Sequence, residues 1–459
     1  MSLQALAEMC ERPNDFSSGE LMTATVRTQK STKRSNQMFD LKSRGSTGWR
    51  EFTAGMSMFL ASAYSIIVIP GMLADAGLPR GPVTTAIIIM IALATLAMGL
   101  YAKMPFVLAP GLGGVALVAY TLMIGEQIPF PVVMGMVFWS GIAFLVLTIF
   151  GIRNLITKMI PTNIRLVIGA AIGLFIAFIG FRSGGLFVTD DNGLTLGDLG
   201  ASSALAALIG FVVLVALQAR NVPGAFVIVI VALTVIGIPL GFTELPDSIF
   251  AAPESPAPIA FKVDLLGALS PHYLPYLFAF FAAEFFSATG VVMTVSEKIG
   301  VPDAQLKKPF LVDSVAIVGG SLFGSPSMTT YAESAAGSEA GGRTGLTSLW
   351  TAALFALMLL FTPFATMIPA AATAPILMYV GLRSLTGFVR IDVKDLTESI
   401  PAAMVLVCTL LWGNFGTGIA AGLLSFVLIK VAALKFREVN LGMWIMTPFL
   451  VYFFVAAAH

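Results

Sequence analysis

Charge, cysteine and histidine are all scarce in this sequence, and each scarcity excludes something. Only 11% of the 459 residues are charged, against about a quarter in a soluble domain, so a water-soluble globule of this length is excluded. Two cysteines, Cys10 and Cys408, cannot supply a disulfide framework or a cysteine-rich metal site. Two histidines, His272 and His459, leave little from which to build a histidine-based one. No G-x-x-x-x-G-K-[ST] loop occurs, which argues against nucleotide-driven pumping. No repeated charged ring or carbonyl-filter motif points to a selective ion channel. No cofactor, no metal and no nucleic-acid partner is therefore expected. What is abundant is apolar surface: 57% of residues are hydrophobic and the mean hydropathy is +0.91. The chain reads as an all-α polytopic membrane protein in contact with lipid.

Residues 1–49 are polar and lack the uninterrupted apolar core of a cleaved secretory signal; they are expected to form a disordered cytoplasmic tail. From Trp49 onward, apolar runs near the roughly 20 residues needed to span a bilayer fall at 52–73, 82–101, 105–123, 131–150, 163–181, 201–217, 223–241, 271–292, 309–323, 326–338, 345–361, 363–382, 398–412 and 415–432. If all fourteen cross and the tail is inside, 23 of the 26 Lys and Arg residues fall on the cytoplasmic side, and only Arg80, Arg182 and Lys262 fall outside. That is the bias expected of cytoplasmic loops, and one miscounted span would invert every loop after it. Residues 441–458, interrupted by Pro448, are expected to form an interfacial or partly inserted helix within a C-terminal segment 435–459.

Fourteen spans divide into two sets of seven, and an odd number per half turns two like halves upside down relative to each other. That is the inverted-repeat architecture of many secondary transporters. The third span opens with Met104-Pro105 and Pro110-Gly111, and the tenth with Gly324-Ser325-Pro326, both too punctuated to be unbroken helix. Each reads as an extended piece followed by a half-helix. A half-helix starting in mid-membrane leaves its first N–H groups unsatisfied, with the positive end of its dipole facing inward. Two such starts enclose a polar chamber suited to the carbonyls and ring nitrogens of a planar heterocycle. The plainer alternative is that the Gly/Pro clusters are close-packing points or kinks.

Acids inside spans are expensive and are functional candidates by default. Glu284 lies midway along 271–292 and Glu333 just inside the second broken helix. Either could exchange a proton and accept a substrate N–H; the alternative is a structural carboxyl between helices. Asp313 could be a third site acid or a helix-end partner. His272, at the outer end of its span, reads as an interface residue. Thr289, Thr329, Thr330 and Tyr331 could bind substrate or satisfy backbone freed at the helix break.

Several motifs resemble a known family: Gly71-Met72-Leu73-Ala74-Asp75-Ala76-Gly77-Leu78-Pro79-Arg80-Gly81, Ala109-Pro110-Gly111, Thr289-Gly290 with Ser296-Glu297-Lys298, and Thr329 to Gly337 continuing to Gly341-Gly342-Arg343-Thr344-Gly345. They are similar to the AzgA-type purine permeases, the adenine/guanine/hypoxanthine branch of the nucleobase–cation symporters. The likeness runs from about residue 49 to the C-terminus. It implies a core domain and a gate domain, proton-coupled (or Na+-coupled) uptake of a nucleobase-like small molecule, elevator-like movement and a homodimer in the cell membrane. Glu284 and Glu333 match acids implicated there in purine binding or coupling. Val115 stands where the family carries an amide, and Ser287 where it carries a second acid, changes that would alter which heterocycle fits.

These readings combine into one expectation. Residues 50–150 and 271–343 form the core, and 151–270 with 344–434 the gate. Substrate is held by Glu284, Glu333, Gly113, Gly114, Val115, Ser287, Met328, Thr329 and Thr330, with Glu284 and Glu333 carrying the proton. The alternatives are a carrier of a different planar heterocycle or organic anion on the same fold, and a non-transporting receptor or channel.

Overall fold

The structure is a computed structural model that describes residues 39–151, 162–190, 193–245, 250–302, 305–385, 394–412, 415–440, 443–444, 447–448 and 450–451. Expectations for residues 1–38 and most of 441–458 lie outside these. Residues 39–49, expected as part of a disordered tail, are folded onto the protein: Phe39 and Leu41 are buried, and the Arg44 guanidinium donates to Arg343 O at 3.1 Å. Phe39 and Leu41 are the buried apolar side chains of this stretch, and Trp49 stays exposed.

The chain enters the bilayer through α1 (Gly48–Ser62), whose first turn is capped by Thr47 accepting from Arg50 N. After a break at Ala63-Tyr64 it continues as α2 (Ser65–Asp75). Pro79, extended, starts α3 (Arg80–Ala97), which widens into a π turn at Met98–Ala102 and stops at Lys103, in the left-handed conformation. The third span is strand β1 (Leu108–Pro110) followed by α4 (Leu112–Ala116), which widens into π turns through Gly125. Then come α5 (Phe130–Ile149), α6 (Thr162–Ser183) and the hairpin β2 (Phe187–Asp190) with β3 (Gly193–Leu196). Next are α7 (Ser202–Ala219), α8 (Ala225–Gly237), α9 (Leu274–Lys298) and α10 (Lys307–Leu322). The tenth span is strand β4 (Met328–Thr330) and α11 (Ser334–Glu339). The eleventh, α12 (Gly345–Leu357), passes through a 3-10 turn into α13 (Thr362–Met367). The last three helices are α14 (Ala370–Ser384), α15 (Leu396–Trp412) and α16 (Phe415–Ala432).

Each of the fourteen apolar segments thus contains helix, as a multi-pass membrane protein requires. Five helical stretches among the described residues are by themselves long and apolar enough to cross a bilayer. One boundary moves: helix continues past residue 361 to Met367 and breaks at Ile368-Pro369. Pro363 falls in the first turn of α13, where its missing N–H costs nothing. Pro369 instead caps α14 with extended backbone.

The helices sort by packing into two sets. In one, α1, α3 and α12 pack together, α5 lies on α9 and α10, and α13 lies on α3; in the other, α6 packs on α14 and α15, α7 and α8 on α14, and α15 on α16. Residues 345–367, expected on the far side of a 343/344 boundary, pack against α1 and α3. Burial separates centre from edge: 67% of the apolar window in Arg80–Ala102 is buried, against 28% in Ser202–Ala219. A helix that is apolar all round yet mostly uncovered faces lipid.

Side-chain contacts sort the loops to two ends. At one end, Lys307 Nζ donates to Ile149 O and Lys308 lies over the Tyr101 ring. At the other, Tyr120 donates to Asp75, Tyr276 to Glu126, and the backbone N–H of Asp264 to Pro131 O. Two further polar knots hold the sets internally. Glu51, fully buried, accepts from the backbone N–H groups of Arg343, Thr344 and Thr347 and from both threonine hydroxyls, capping α12. Lys430, also buried, holds Glu398 at 3.2 Å and Glu438 at 2.6 Å. Its hydrogen bond keeps the Glu438 carboxyl below the usual range.

Candidate functional site

The two broken spans meet as antiparallel strands. Leu108 pairs with Thr330, Ala109 with Thr329 and Pro110 with Met328. The ladder is extended by Gly111 N donating to Ser327 O and Tyr331 N donating to Val107 O, both at 2.9 Å. Backbone in extended form at membrane depth has to find partners inside the protein, and here each stretch satisfies the other. Side chains complete the accounting. Thr95 exchanges hydrogen bonds with both backbone groups of Leu108, Ser348 donates to Met104 O and Phe106 O, and Ser334 accepts from Val107 N. The Tyr331 hydroxyl donates to Pro110 O.

This short sheet aims both half-helices. Beside the start of α4, the Glu284 carboxyl and the Ser327 hydroxyl converge. A methyl group on Gly111 would stand 3.7 Å from both Glu284 Oε2 and Ser327 Oγ and 3.0 Å from the Thr329 methyl. One on Gly114 would collide with Ser327 Oγ and Glu284 Oε1. Glycine at both positions is what lets an acid from α9 and the loop before β4 close in on the helix start. Glu284 is 5% exposed, Ser327 0% and Thr329 4%. The Ser327 hydroxyl lies against the Glu284 carboxyl, while Glu284 Oε2 and Thr329 Oγ1 make no hydrogen bond among the described residues. A buried polar group left that way costs about 1–3 kcal/mol, and such atoms in a native fold call for an explanation. Ser327 also holds φ +55°, a strained conformation for a residue with a side chain, of the kind that clusters at binding sites.

The other predicted residues are distributed around this centre. Glu333 caps α11 in sequence, but its carboxyl makes no cap hydrogen bond; Oε1 instead accepts from the Tyr64 hydroxyl at 2.7 Å. Tyr331 lies within electrostatic reach of both acids. Gly113 packs against Ile172 of α6, where the two helical sets meet. Val115 is fully buried in the apolar core. Met328 packs over Gly320 and takes the Ser325 hydroxyl at its sulfur, and Thr330 is held through its N–H and hydroxyl by Asp313 Oδ1 at 2.8 and 3.1 Å. Thr289 is buried on α9. The Ser287 side chain lies outside the described residues.

Alternation explains this split: successive strand residues point to opposite faces, so Thr329 faces Glu284 while Met328 and Thr330 face α10. Asp313, open between two roles from sequence, holds β4. The residue that sequence reasoning missed is Tyr64. Its signal was a polar run, Ser62-Ala63-Tyr64-Ser65, inside the first span.

A membrane protein of about fourteen helices, with two interrupted spans paired in its interior around a buried acid, has the architecture of a secondary transporter. The fold is similar to that of the transmembrane domain of a cyanobacterium bicarbonate transporter, BicA, with a TM-score of 0.56 at 17% identity, covering 80% of this chain and 96% of that one. Residues 50–422 match the Permease family, Xan_ur_permease, and the chain belongs to that family. It is 33% identical over 428 residues to the guanine/hypoxanthine permease GhxP of Escherichia coli O157:H7, covering 91% of this chain and 95% of that protein. It is also 33% identical over 410 residues to the adenine permease AdeP of Escherichia coli strain K12, covering 88% and 92%. The chain is a permease and not an enzyme.

Proposed function

We propose that this permease imports a purine nucleobase together with a proton, and that the substrate binds in the chamber between α4, α9 and the loop leading into β4. The observation that carries this reading is the convergence of the buried Glu284 carboxyl, one oxygen of which has no hydrogen-bond partner among the described residues, and the Ser327 hydroxyl on the glycine-lined start of α4, with Thr329 beside them. A purine ring supplies partners for them: a ring N–H donates to the Glu284 carboxylate, while a carbonyl or ring nitrogen accepts from Ser327, Thr329 and the first N–H groups of α4. The relatives named for adenine and for guanine and hypoxanthine support purines as the class.

Glu284 and Glu333 are the groups that take and release the proton. In the elevator reading, the set α1–α5 with α9–α13 is the moving core, and α6–α8 with α14–α16 is the gate. Residues 344–367 then join the core. Substrate and proton together drive the cycle by binding one end state better than the other. The N-terminus lies in the cytoplasm, the membrane is the cell membrane, and two copies form a dimer.

Proteoliposomes test this directly. Saturable accumulation of adenine, guanine or hypoxanthine under an inward proton gradient, and not under an inward sodium gradient alone, is the expected result. Facilitated equilibration without accumulation would overturn the coupling. One observation favours a second reading, a different planar heterocycle: the position where the resembling family carries an amide is here the fully buried, apolar Val115. A competition panel of purines, pyrimidines and smaller heterocycles decides between the two.

A further inference from the structure

Tyr64 stands where the helix of the first span is interrupted, between α1 and α2, and this break brings a phenol to the depth of the half-helices. Its side chain is 1% exposed. Three contacts radiate from it. The hydroxyl donates to Glu333 Oε1 at 2.7 Å. One side of the ring stacks on Tyr331, 6.4 Å between centroids and 27° between planes, and Tyr331 in turn donates to Pro110 O in the strand pair. The ring also lies 5.1 Å from Phe226 of α8, which packs edge-on against Tyr379 of α14 at 5.7 Å. Phe226 and Tyr379 belong to the opposite helical set, as does Arg383 of α14, whose charge also acts on Glu333.

From this geometry we infer that Tyr64 is a positioning residue for Glu333, fixing the carboxyl of the half-helix and linking its state to the seam between the two helical sets. The inference rests on the transport reading and deepens it. The chemistry suits the role. A phenol donates to a carboxylate and, by rotating its O–H, accepts from a carboxylic acid, so it can follow Glu333 through proton gain and loss without moving its oxygen. Glu333 needs an outside partner because its own helix does not take its carboxyl as a cap. The ring meanwhile is wedged between Tyr331 and Phe226, so displacement of either set shifts the hydroxyl relative to the acid.

Tyr64→Phe keeps the ring contacts and removes the hydroxyl. In proteoliposomes the maximal uptake rate is expected to fall about tenfold with KM changed less than about threefold, the scale of one charge-assisted hydrogen bond. In the Glu333→Gln background the same substitution is expected to add nothing, because coupled residues are not additive. Uptake within about twofold of wild type, or losses that add in full in the double variant, would overturn the proposal. Tyr64→His, which retains a ring N–H, is expected to recover part of the rate, and recovery no better than Tyr64→Phe counts against positioning through the donor.

A readout independent of substrate separates this idea from the proposed function. Labelling of Glu333 by a hydrophobic carbodiimide, followed by mass spectrometry of the purified full chain, is expected to be at least about threefold faster in Tyr64→Phe, since the hydroxyl no longer covers Oε1. Equal labelling rates refute the Tyr64 assignment. Absence of any purine uptake by the wild type refutes the transport reading and leaves the labelling result to decide the other.

Discussion

Two carboxyl groups, Glu51 and Glu284, are both buried in this protein, and they are opposite in kind. Glu51 accepts from three backbone N–H groups and two hydroxyls where α12 begins, with distances of 2.5–3.3 Å. Its hydrogen-bonding capacity is spent inside the fold. Glu284 keeps one oxygen without a hydrogen-bond partner among the described residues, and its neighbour at the helix start is the Ser327 hydroxyl. Burial alone therefore does not mark a functional acid in a membrane. The residual capacity to bond does, since a structural carboxyl stabilises by being satisfied and a binding carboxyl is useful only while it is not.

That contrast can be broken by experiment, and the largest effect is expected at the satisfied acid. Glu51→Ala strands five donors at the start of α12 and is expected to cost about 3 kcal/mol or more of stability. It should show as a marked drop in the thermal unfolding midpoint, with uptake per folded molecule largely kept. Glu284→Gln is the mirror image. It alters a carboxyl that keeps one oxygen without a partner among the described residues, so on the proposed reading purine uptake is expected to fall about a hundredfold while the unfolding midpoint stays the same or rises. If both variants lose stability equally, the two acids are of one kind and the chamber reading fails. Gly114→Ala sharpens the point without touching a charge: its methyl would meet Ser327 Oγ and Glu284 Oε1, and uptake is expected to fall about tenfold through overpacking.

The smallest effect lies outside the membrane. The Glu438 carboxyl is held below its ordinary range by Lys430, so its contribution is present at neutral pH and is lost as pH falls through that lowered value. Glu438→Gln is expected to lower the unfolding midpoint slightly at neutral pH, and to make no difference in acid, where the wild-type carboxyl is protonated as well. A difference that persists in acid would point to packing instead of charge.

Much of the fold was legible because bilayer physics writes itself into a sequence. Apolar runs of spanning length and two Pro/Gly-punctuated segments pointed to the helices and to the breaks in the third and tenth spans, though not to those at Ala63-Tyr64 and Ile368-Pro369. That the third-span and tenth-span breaks meet was legible; the strand register in which they pair was not. Leu108–Pro110 and Met328–Thr330 are three-residue strands, too short for any alternation to register, and which residue meets which is set by packing far apart in sequence. Glu284 and Thr329 could be read as site residues because a polar atom in an apolar run advertises itself. Met328 and Thr330 were grouped with them through adjacency, and the strand turned them the other way, toward Gly320 and Asp313. Which neighbours α12 leans on, α1 and α3, was not legible either, because the sequence shows that a span exists but not what it packs against.

The break at Ile368-Pro369 has a mechanical corollary. Only these two residues join α13, which lies with one helical set, to α14, which lies with the other, and the Arg80 guanidinium ties down the Ile368 carbonyl at 2.8 Å. Two extended residues reach no more than about 7 Å. At this corner, then, the halves are leashed: large excursions must grow with distance from it, as a door's edge travels while its hinge stays put.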